Sequence, residues 1–378
     1  MIIYKLKYGG VASQANLMYY EFIKMKNIVV LYSIINSQNQ SKFFILNLIK
    51  SMIELKRFIA SNNFDVIQIY GAFYAGILGL FLKKLNKIPT IIRVGSLIED
   101  FYSGRILEKL KINHSNRKLS ISYILRKILL YFTIHFLNQF DAVIFNSYFL
   151  KYHYEKQMKK PFTVIWNGID TNVFTKRKMK RKTENSFKML FVGRIAYRKG
   201  VHDIIKAANI LRQNGFQVEI DLVGGIDGED KYLEYLNKLI CEFDMTKRVN
   251  FVGPIAHEKT IDFYQKNSVL ILATNDKIYS GAEGLPNAIM EAMSCGLPII
   301  ATRIGGIPEL VENYVNGFLV EQNDYKKIAF YCKKILQNND LHEKIVESNY
   351  KKINNSFSIT ECTSKYISFY QFIINERR

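Results

Sequence analysis

The chain has 378 residues, of which 48% are apolar, 13% aromatic and 23% charged; this excludes a disordered or fibrous protein and gives enough length for two domains. Lys plus Arg outnumber Asp plus Glu by 53 to 33, a formal charge of +20, but residues 1–182 hold 29 basic and 9 acidic side chains while residues 183–378 hold 24 of each. The whole excess lies in the first half, so a general polyanion binder competes with a two-domain enzyme that turns one domain toward an anionic surface.

Four cysteines, at 241, 295, 332 and 362, have no CxxC spacing. They point to buried thiols in a reducing compartment rather than to a disulfide framework or a zinc site. The opening MIIYKLKYGG lacks the apolar core of a signal peptide, and the longest apolar runs, 72–82 and 128–137, are too short to span a bilayer. The expectation is a soluble cytoplasmic protein.

In chain order, amphipathic stretches alternate with short β-branched runs. The first half predicts helices around 12–24, 46–61, 75–85 and 122–138, and strands over 28–35, 66–70, 90–94, 142–145 and 163–166. A first strand before Gly9 is short and carries Lys5 and Lys7. The second half predicts strands over 188–192, 218–223, 249–252, 269–273, 298–302 and 317–320, with helices between them. This is the pattern of α/β layers built twice. Asn167-Gly168-Ile169-Asp170 is a turn signal that marks a boundary, and 176–182 (KRKMKRK) reads as a solvated linker or a contact with an anionic surface. From about Ser356 an aromatic-rich helical segment must pack its apolar face, and the first domain is where it can return. The expected domains are 1–168, 169–355 and a terminal helix, 356–378.

Three loops carry the chemistry. In 190–201 (LFVGRIAYRKGV) a strand ends, Gly193 turns the backbone, and Arg194 and Lys199 precede a helix. Two cations beside unsatisfied helical N–H groups can hold a diphosphate and offset charge developing on it as it leaves, although capping and ordinary surface charge compete with this reading. In 281–298 (GAEGLPNAIMEAMSCGLP) Gly284 and Pro286 keep Glu283 on a loop, and a helix starts near Asn287 with Glu291 one turn inside. Carboxylates at the mouth and deeper in a site suit pairs of sugar hydroxyls. The third loop, 303–309 (RIGGIPE), follows a strand. All three fall at carboxyl ends of strands, where open α/β sheets place ligands.

The segments GRIAYRKG, EGLPNAIMEAMSCGLPIIATRIGGIPELV, NGFLV and WNGIDTNVF resemble the retaining nucleotide-sugar glycosyltransferases of family 4. The match is specific over 163–322 and weaker over 9–160. The resemblance implies the GT-B fold, α/β with two Rossmann-like domains facing each other across a cleft: an acceptor domain first and an NDP-sugar donor domain second. It implies that Arg194 and Lys199 bind the diphosphate, that Glu291 holds the ribose and Glu283 the transferred sugar, and that Gly193, Gly284, Leu285, Pro286 and Asn287 add contacts. Gly9 and Gly10 resemble the family's glycine loop. Catalysis is then expected to rest on Glu283, Arg194 and Lys199, with a UDP- or GDP-linked sugar as substrate and with no cofactor, metal or nucleic acid. The acidic run 227–230 reads as the start of a helix.

One departure concerns a histidine that family members commonly keep after the strand 90–94. Here the run is Arg93-Val94-Gly95-Ser96, so the expectation is that either Arg93 or the Ser96 region supplies the polar contacts or activity is altered. His202 and His257 lie near the donor loops, with capping or surface roles expected. A nucleotide-sugar epimerase or a sugar phosphorylase on the same fold is the alternative, separable by products formed from donor alone or only with phosphate. A basic nucleic-acid-binding protein is a weaker one, because no recognisable binding motif is present. Residues 105–127 mix seven cations with aliphatic side chains, which suits either a solvated face or contact with an anionic bilayer. The resemblance implies a saccharide or lipid-linked acceptor for capsule, O-antigen or lipopolysaccharide, handled at the inner face of the plasma membrane.

Overall fold

A computed structural model describes residues 2–4, 10–26, 31–33, 44–71, 74–98, 116–175, 186–226, 230–275 and 284–376. Glu283, Gly9, the linker 176–182 and the basic stretch 105–115 lie outside the described residues. The chain forms two compact units: residues 1–168, 280–285 and 359–378 make the first, and residues 169–279 and 286–358 the second.

The first unit runs β1 (Ile2–Tyr4), α1 (Gly10–Lys24), β2 (Leu31–Ser33), α2 (Phe44–Ala60), β3 (Ile67–Tyr70), α3 (Tyr74–Leu85), β4 (Thr90–Val94), α4 (Asn116–Leu137), β5 (Ala142–Phe145), α5 (Tyr148–Tyr154) and β6 (Phe162–Val164). The strands form a parallel sheet in the order β2-β1-β3-β4-β5-β6, so the short strand β1 is an interior strand, paired through Ile3 with both Tyr32 and Ile69. Because side chains alternate along a strand, each strand feeds two cores. Ile92, Val143 and Phe145 point to one face, where they meet Leu55 and Ile59 of α2, Leu78 and Leu82 of α3, and Leu150 of α5. Ile91 and Ile144 point to the other, where they meet Ala15, Met18 and Phe22 of α1 and Cys362, Tyr366 and Ile373 of the C-terminal helix. That helix begins at Ile359, after a π-helical turn over Ile353–Phe357 that belongs to the second unit.

The second unit runs β7 (Ser186–Val192), α6 (Val201–Gln213), β8 (Gln217–Val223), α7 (Asp230–Glu242), β9 (Val249–Gly253), α8 (Thr260–Lys266), β10 (Val269–Leu272), α9 (Asn287–Ser294), β11 (Ile299–Thr302), α10 (Ile307–Leu310), β12 (Phe318–Val320), α11 (Tyr325–Gln337) and α12 (Asn339–Lys352), leaving the C-terminal helix as α13 (Ile359–Asn375). Its parallel sheet has the order β12-β11-β10-β7-β8-β9. Strand β10 (VLIL) is buried at every position, as a central parallel strand covered on both faces must be. Helix α6 buries Val201, Ile204, Ile205, Ala208 and Leu211, a 3–4 residue stripe that turns one face to the core. Asp324 and Asn338 start α11 and α12 by accepting from the N–H groups of Lys327 and Leu341, both at 2.9 Å. Cys295, Cys332 and Cys362 are buried thiols, Cys241 is an exposed one, and none of the four forms a disulfide.

The order of this second sheet places the site. β7 leads to β8 and β9 on one side, whereas β10 leads to β11 and β12 on the other, so the direction in which strands are added to this parallel sheet reverses between β7 and β10. In open parallel sheets the carboxyl ends of such a pair border a crevice in which ligands bind.

Candidate functional site in the second unit

The loop after β7 crosses that crevice and is tied to both neighbouring strand ends. On one side Gly193 N–H donates to Val223 O and Ile195 N–H to Gly225 O, both at 2.9 Å. On the other side Asn275 N–H donates to Arg198 O at 2.7 Å, just beyond β10. Gly200 has φ +67°, and a Cβ there would lie 2.0 Å from the carbonyl oxygen of Ala273. Only glycine lets the chain turn into α6 at that closeness.

The loop carries Arg194, Arg198 and Lys199 within a few residues. Burial holds the Lys199 ammonium well below its usual pKa, and the positive charges of Arg198 and Arg194 lower it further. Like charges gathered at a helix start are stabilised by an anion bound among them. Behind them, His202 is buried and stacked on Tyr197 at 4.9 Å between ring centroids. This corrects the expected capping or surface role. The Tyr232 hydroxyl accepts from the His202 backbone N–H at 3.3 Å and lies 3.0 Å from Nδ1, within hydrogen-bond reach of the ring. Burial lowers the pKa of His202 to about 4.

The second carboxylate loop enters α9 through Pro286 as N-cap, and the helix begins at Asn287 as the Gly/Pro spacing predicts. Glu291 is 5% exposed, and both of its oxygens have partners. His257 Nε2 lies 2.9 Å from Oε1, and the Tyr264 hydroxyl donates to Oε2 at 2.7 Å. An ionised carboxylate only accepts, so Nε2 carries its proton. The hydrogen bond to Glu291 raises the pKa of His257, against the effect of partial burial. Burial, then the Glu291 charge, raises that of Tyr264 well above its ordinary value, which keeps it a donor. Each Glu291 oxygen retains a second lone pair, enough for two further hydroxyl donors.

Sequence reading missed both partners. His257 follows β9 and Tyr264 lies on α8; nothing in their local spacing signals a carboxylate that comes from α9. His257 is exposed, as its expected surface role requires, and its ring in addition ends on a buried acceptor.

The other expected site residues divide between the units. Gly193, Arg194, Lys199, Pro286, Asn287 and Glu291 belong to the second unit; Gly284, Leu285 and Gly10 belong to the first, with Gly10 opening α1. Within the first unit, a Cβ on Gly284 would lie 2.5 Å from Gly95 O, and Leu285 O accepts from Asn167 Nδ2 at 3.3 Å. Arg93 does not offer its main contacts to a ligand, as the expected substitution for histidine requires. It is 5% exposed, donates to Tyr366 and Asn167, and lies over the Tyr70 ring. In the third loop Arg303 is paired with Glu321 at 3.7 Å. Of the acidic run 227–230 only Asp230, the first residue of α7, is described.

Comparison with known proteins agrees with this architecture. Residues 172–352 match the sequence profile described as glycosyl transferases group 1, and residues 23–173 match that of Glycosyltransferase Family 4. An uncharacterized glycosyltransferase of Methanocaldococcus jannaschii, MJ1178, is 24% identical over 312 residues, covering 81% of this chain and 75% of that protein. The capsular polysaccharide biosynthesis glycosyltransferase CapM of Staphylococcus aureus is 28% identical over 211 residues, covering 55% of this chain and 52% of CapM. The chain thus spans about half the length of CapM. Among solved structures, Anabaena HepE in complex with UDP and glucose superimposes with a TM-score of 0.72 over 98% of this chain and 99% of that one, at 17% identity. That likeness identifies the fold as GT-B.

Proposed function

The chain belongs to the group 1 glycosyltransferases, and on that premise we propose that it is a retaining enzyme moving a hexose-type sugar from an NDP-sugar to a saccharide or lipid-linked saccharide acceptor in the synthesis of a bacterial surface polysaccharide. The observation that carries this reading is the pairing, in one unit, of a cation cluster at the sheet's switch point with a buried carboxylate. Arg194 and Lys199 bind the diphosphate, Glu291 accepts from the ribose hydroxyls, and Glu283 contacts the transferred sugar. The polysaccharide assignment is supported by relatives such as CapM.

In the proposed reaction the bond from the anomeric carbon to the diphosphate oxygen breaks. The acceptor hydroxyl bonds to that carbon from the same face, and its proton passes to the departing phosphate oxygen. Negative charge grows on the diphosphate as this happens. Arg194 and Lys199, carried on a loop whose backbone is tied to the ends of β8 and β10, compensate it. Because the cations do this, we propose that no metal is needed.

The acceptor side is proposed to meet a membrane. On α4, Ile124, Ile128, Tyr131 and Phe132 are exposed at 58%, 50%, 70% and 61%, at helical spacing along one face, with Lys127 exposed beside them. Thr133 and Leu137, on the opposite side of the helix, are buried. An apolar stripe in the half of the chain that holds all the net positive charge suits an anionic lipid surface. Among the described residues no helix is long and apolar enough to cross a membrane.

The test is protection against thermal unfolding by UDP-, GDP- and ADP-sugars. A ligand at one hundred times its Kd stabilises by about 2.7 kcal/mol. One nucleotide series is expected to raise Tm in the wild type and not in Glu291→Ala; equal protection of both proteins assigns the nucleotide elsewhere.

A further inference from the structure

We propose that His257 is a positioning residue for donor recognition: with Tyr264 it fixes the plane of the Glu291 carboxylate so that the two remaining lone pairs face a vicinal diol. The inference rests on the proposed role of Glu291 at the ribose. The geometry supplies the rest. A glutamate carboxylate turns about its last torsion, and that rotation is broad. Donors on both oxygens, His257 Nε2 at 2.9 Å and Tyr264 Oη at 2.7 Å, stop it.

A second layer holds the donors. Phe174 is buried, and its ring centroid lies 5.2 Å from that of His257 and 6.2 Å from that of Tyr264, so one aromatic wall packs against both. Phe174 is itself tied to α9, because Ser294 Oγ donates to its carbonyl oxygen at 2.5 Å. Ser294 and Glu291 share that helix. Thr260 Oγ1 donates to His257 O at 2.6 Å and closes the turn that carries the histidine. Phe174 ends the WNGIDTNVF segment, and this wall is what the segment contributes to the site.

The two donors differ in what they face. Tyr264 is fully buried and cannot be exchanged with water, whereas the His257 side chain is 44% exposed. Removing His257 frees one oxygen to turn while Tyr264 still holds the other. Loss of His257 therefore weakens recognition of the diol and leaves the diphosphate contacts in place.

The experiment measures the Kd of UDP and of GDP, and of their 2′,3′-dideoxy counterparts, by calorimetry on the full chain. The wild type is expected to prefer the ribonucleotide by about tenfold or more, as hydrogen bonds to a charged acceptor allow. His257→Ala is expected to reduce that preference severalfold while the affinity for the dideoxy nucleotide stays within about twofold. In turnover it raises the donor KM more than it lowers kcat. His257→Gln, which keeps a donor on a side chain of similar reach, is expected to recover most of the preference. An unchanged preference in His257→Ala, beside a collapsed one in Glu291→Ala, overturns the inference and leaves the ribose reading standing. A wild type that binds ribo- and dideoxynucleotides equally overturns both.

Discussion

Arg93 Nε donates to Tyr366 Oη at 2.5 Å, joining the carboxyl end of β4 to α13 across 273 residues of sequence. Arg93 also donates to Asn167 Oδ1, and its guanidinium carbon lies 5.2 Å from the Tyr70 ring centroid. A charge 95% removed from water is thus held by hydroxyl, amide and ring rather than by a carboxylate among these contacts. Such a group is costly to leave unpaired.

Tyr366→Phe keeps the ring and removes the acceptor, so it is expected to destabilise the first unit by about 1–3 kcal/mol. Arg93→Met removes the buried charge itself. The double variant is expected to lose less than the sum of the two single ones, because the orphaned guanidinium is gone. Urea unfolding monitored by tyrosine fluorescence measures both; strict additivity contradicts the coupling.

His202 and Asp203, adjacent in α6, are expected to give opposite pH slopes. The His202 pKa is lowered by burial to about 4, below its unfolded value of 6.5. The unfolded chain binds more protons in that window, so the contribution of His202 is present above 6.5 and lost as pH falls toward 4. Burial raises the Asp203 pKa from 3.8 to about 6. Here the folded chain binds more protons, so its contribution is present below 3.8 and lost as pH rises through 6. Each slope is worth about 3 kcal/mol at most, and in the wild type they largely cancel. His202→Gln is expected to leave stability falling between pH 4 and 6, and Asp203→Asn to leave it rising and to add about 1–3 kcal/mol at pH 7.5. Denaturation midpoints across this range decide it; parallel profiles in both variants refute the assignment.

Gly200→Ala forces a Cβ against Ala273 O and strains a left-handed residue. It is expected to cost more than about 1 kcal/mol and to displace Lys199, so that nucleotide affinity falls along with Tm. Gly215→Ala is the control, since it shares the positive φ but has nothing within 4 Å. It is expected to cost stability without changing nucleotide affinity.

Sedimentation with phosphatidylglycerol vesicles tests α4. The wild type is expected to co-sediment at low salt and to be released as salt rises, because exposed charges are screened. Ile128→Asp with Phe132→Asp places two anions in the exposed stripe and is expected to abolish binding without a fall in Tm. Binding equal to the wild type assigns the stripe another role.

The alternation of β-branched runs with amphipathic stretches was enough to predict two α/β units and nearly every described strand, because a buried parallel strand needs a short apolar run whatever its partners are. Gly193 and Pro286 were legible for a related reason: turns and helix starts are local, and few residues satisfy them. Glu291 could be placed inside its helix from the Gly/Pro framework alone. Its two donors could not, since His257, Tyr264 and Glu291 lie on separate elements that only the packing of α8 and α9 brings within hydrogen-bond reach. The same holds for Arg93, whose partners Asn167 and Tyr366 lie 74 and 273 residues away. Sequence fixes what is local or periodic; which buried polar group answers which is decided where distant elements meet, because each must find its partner away from water.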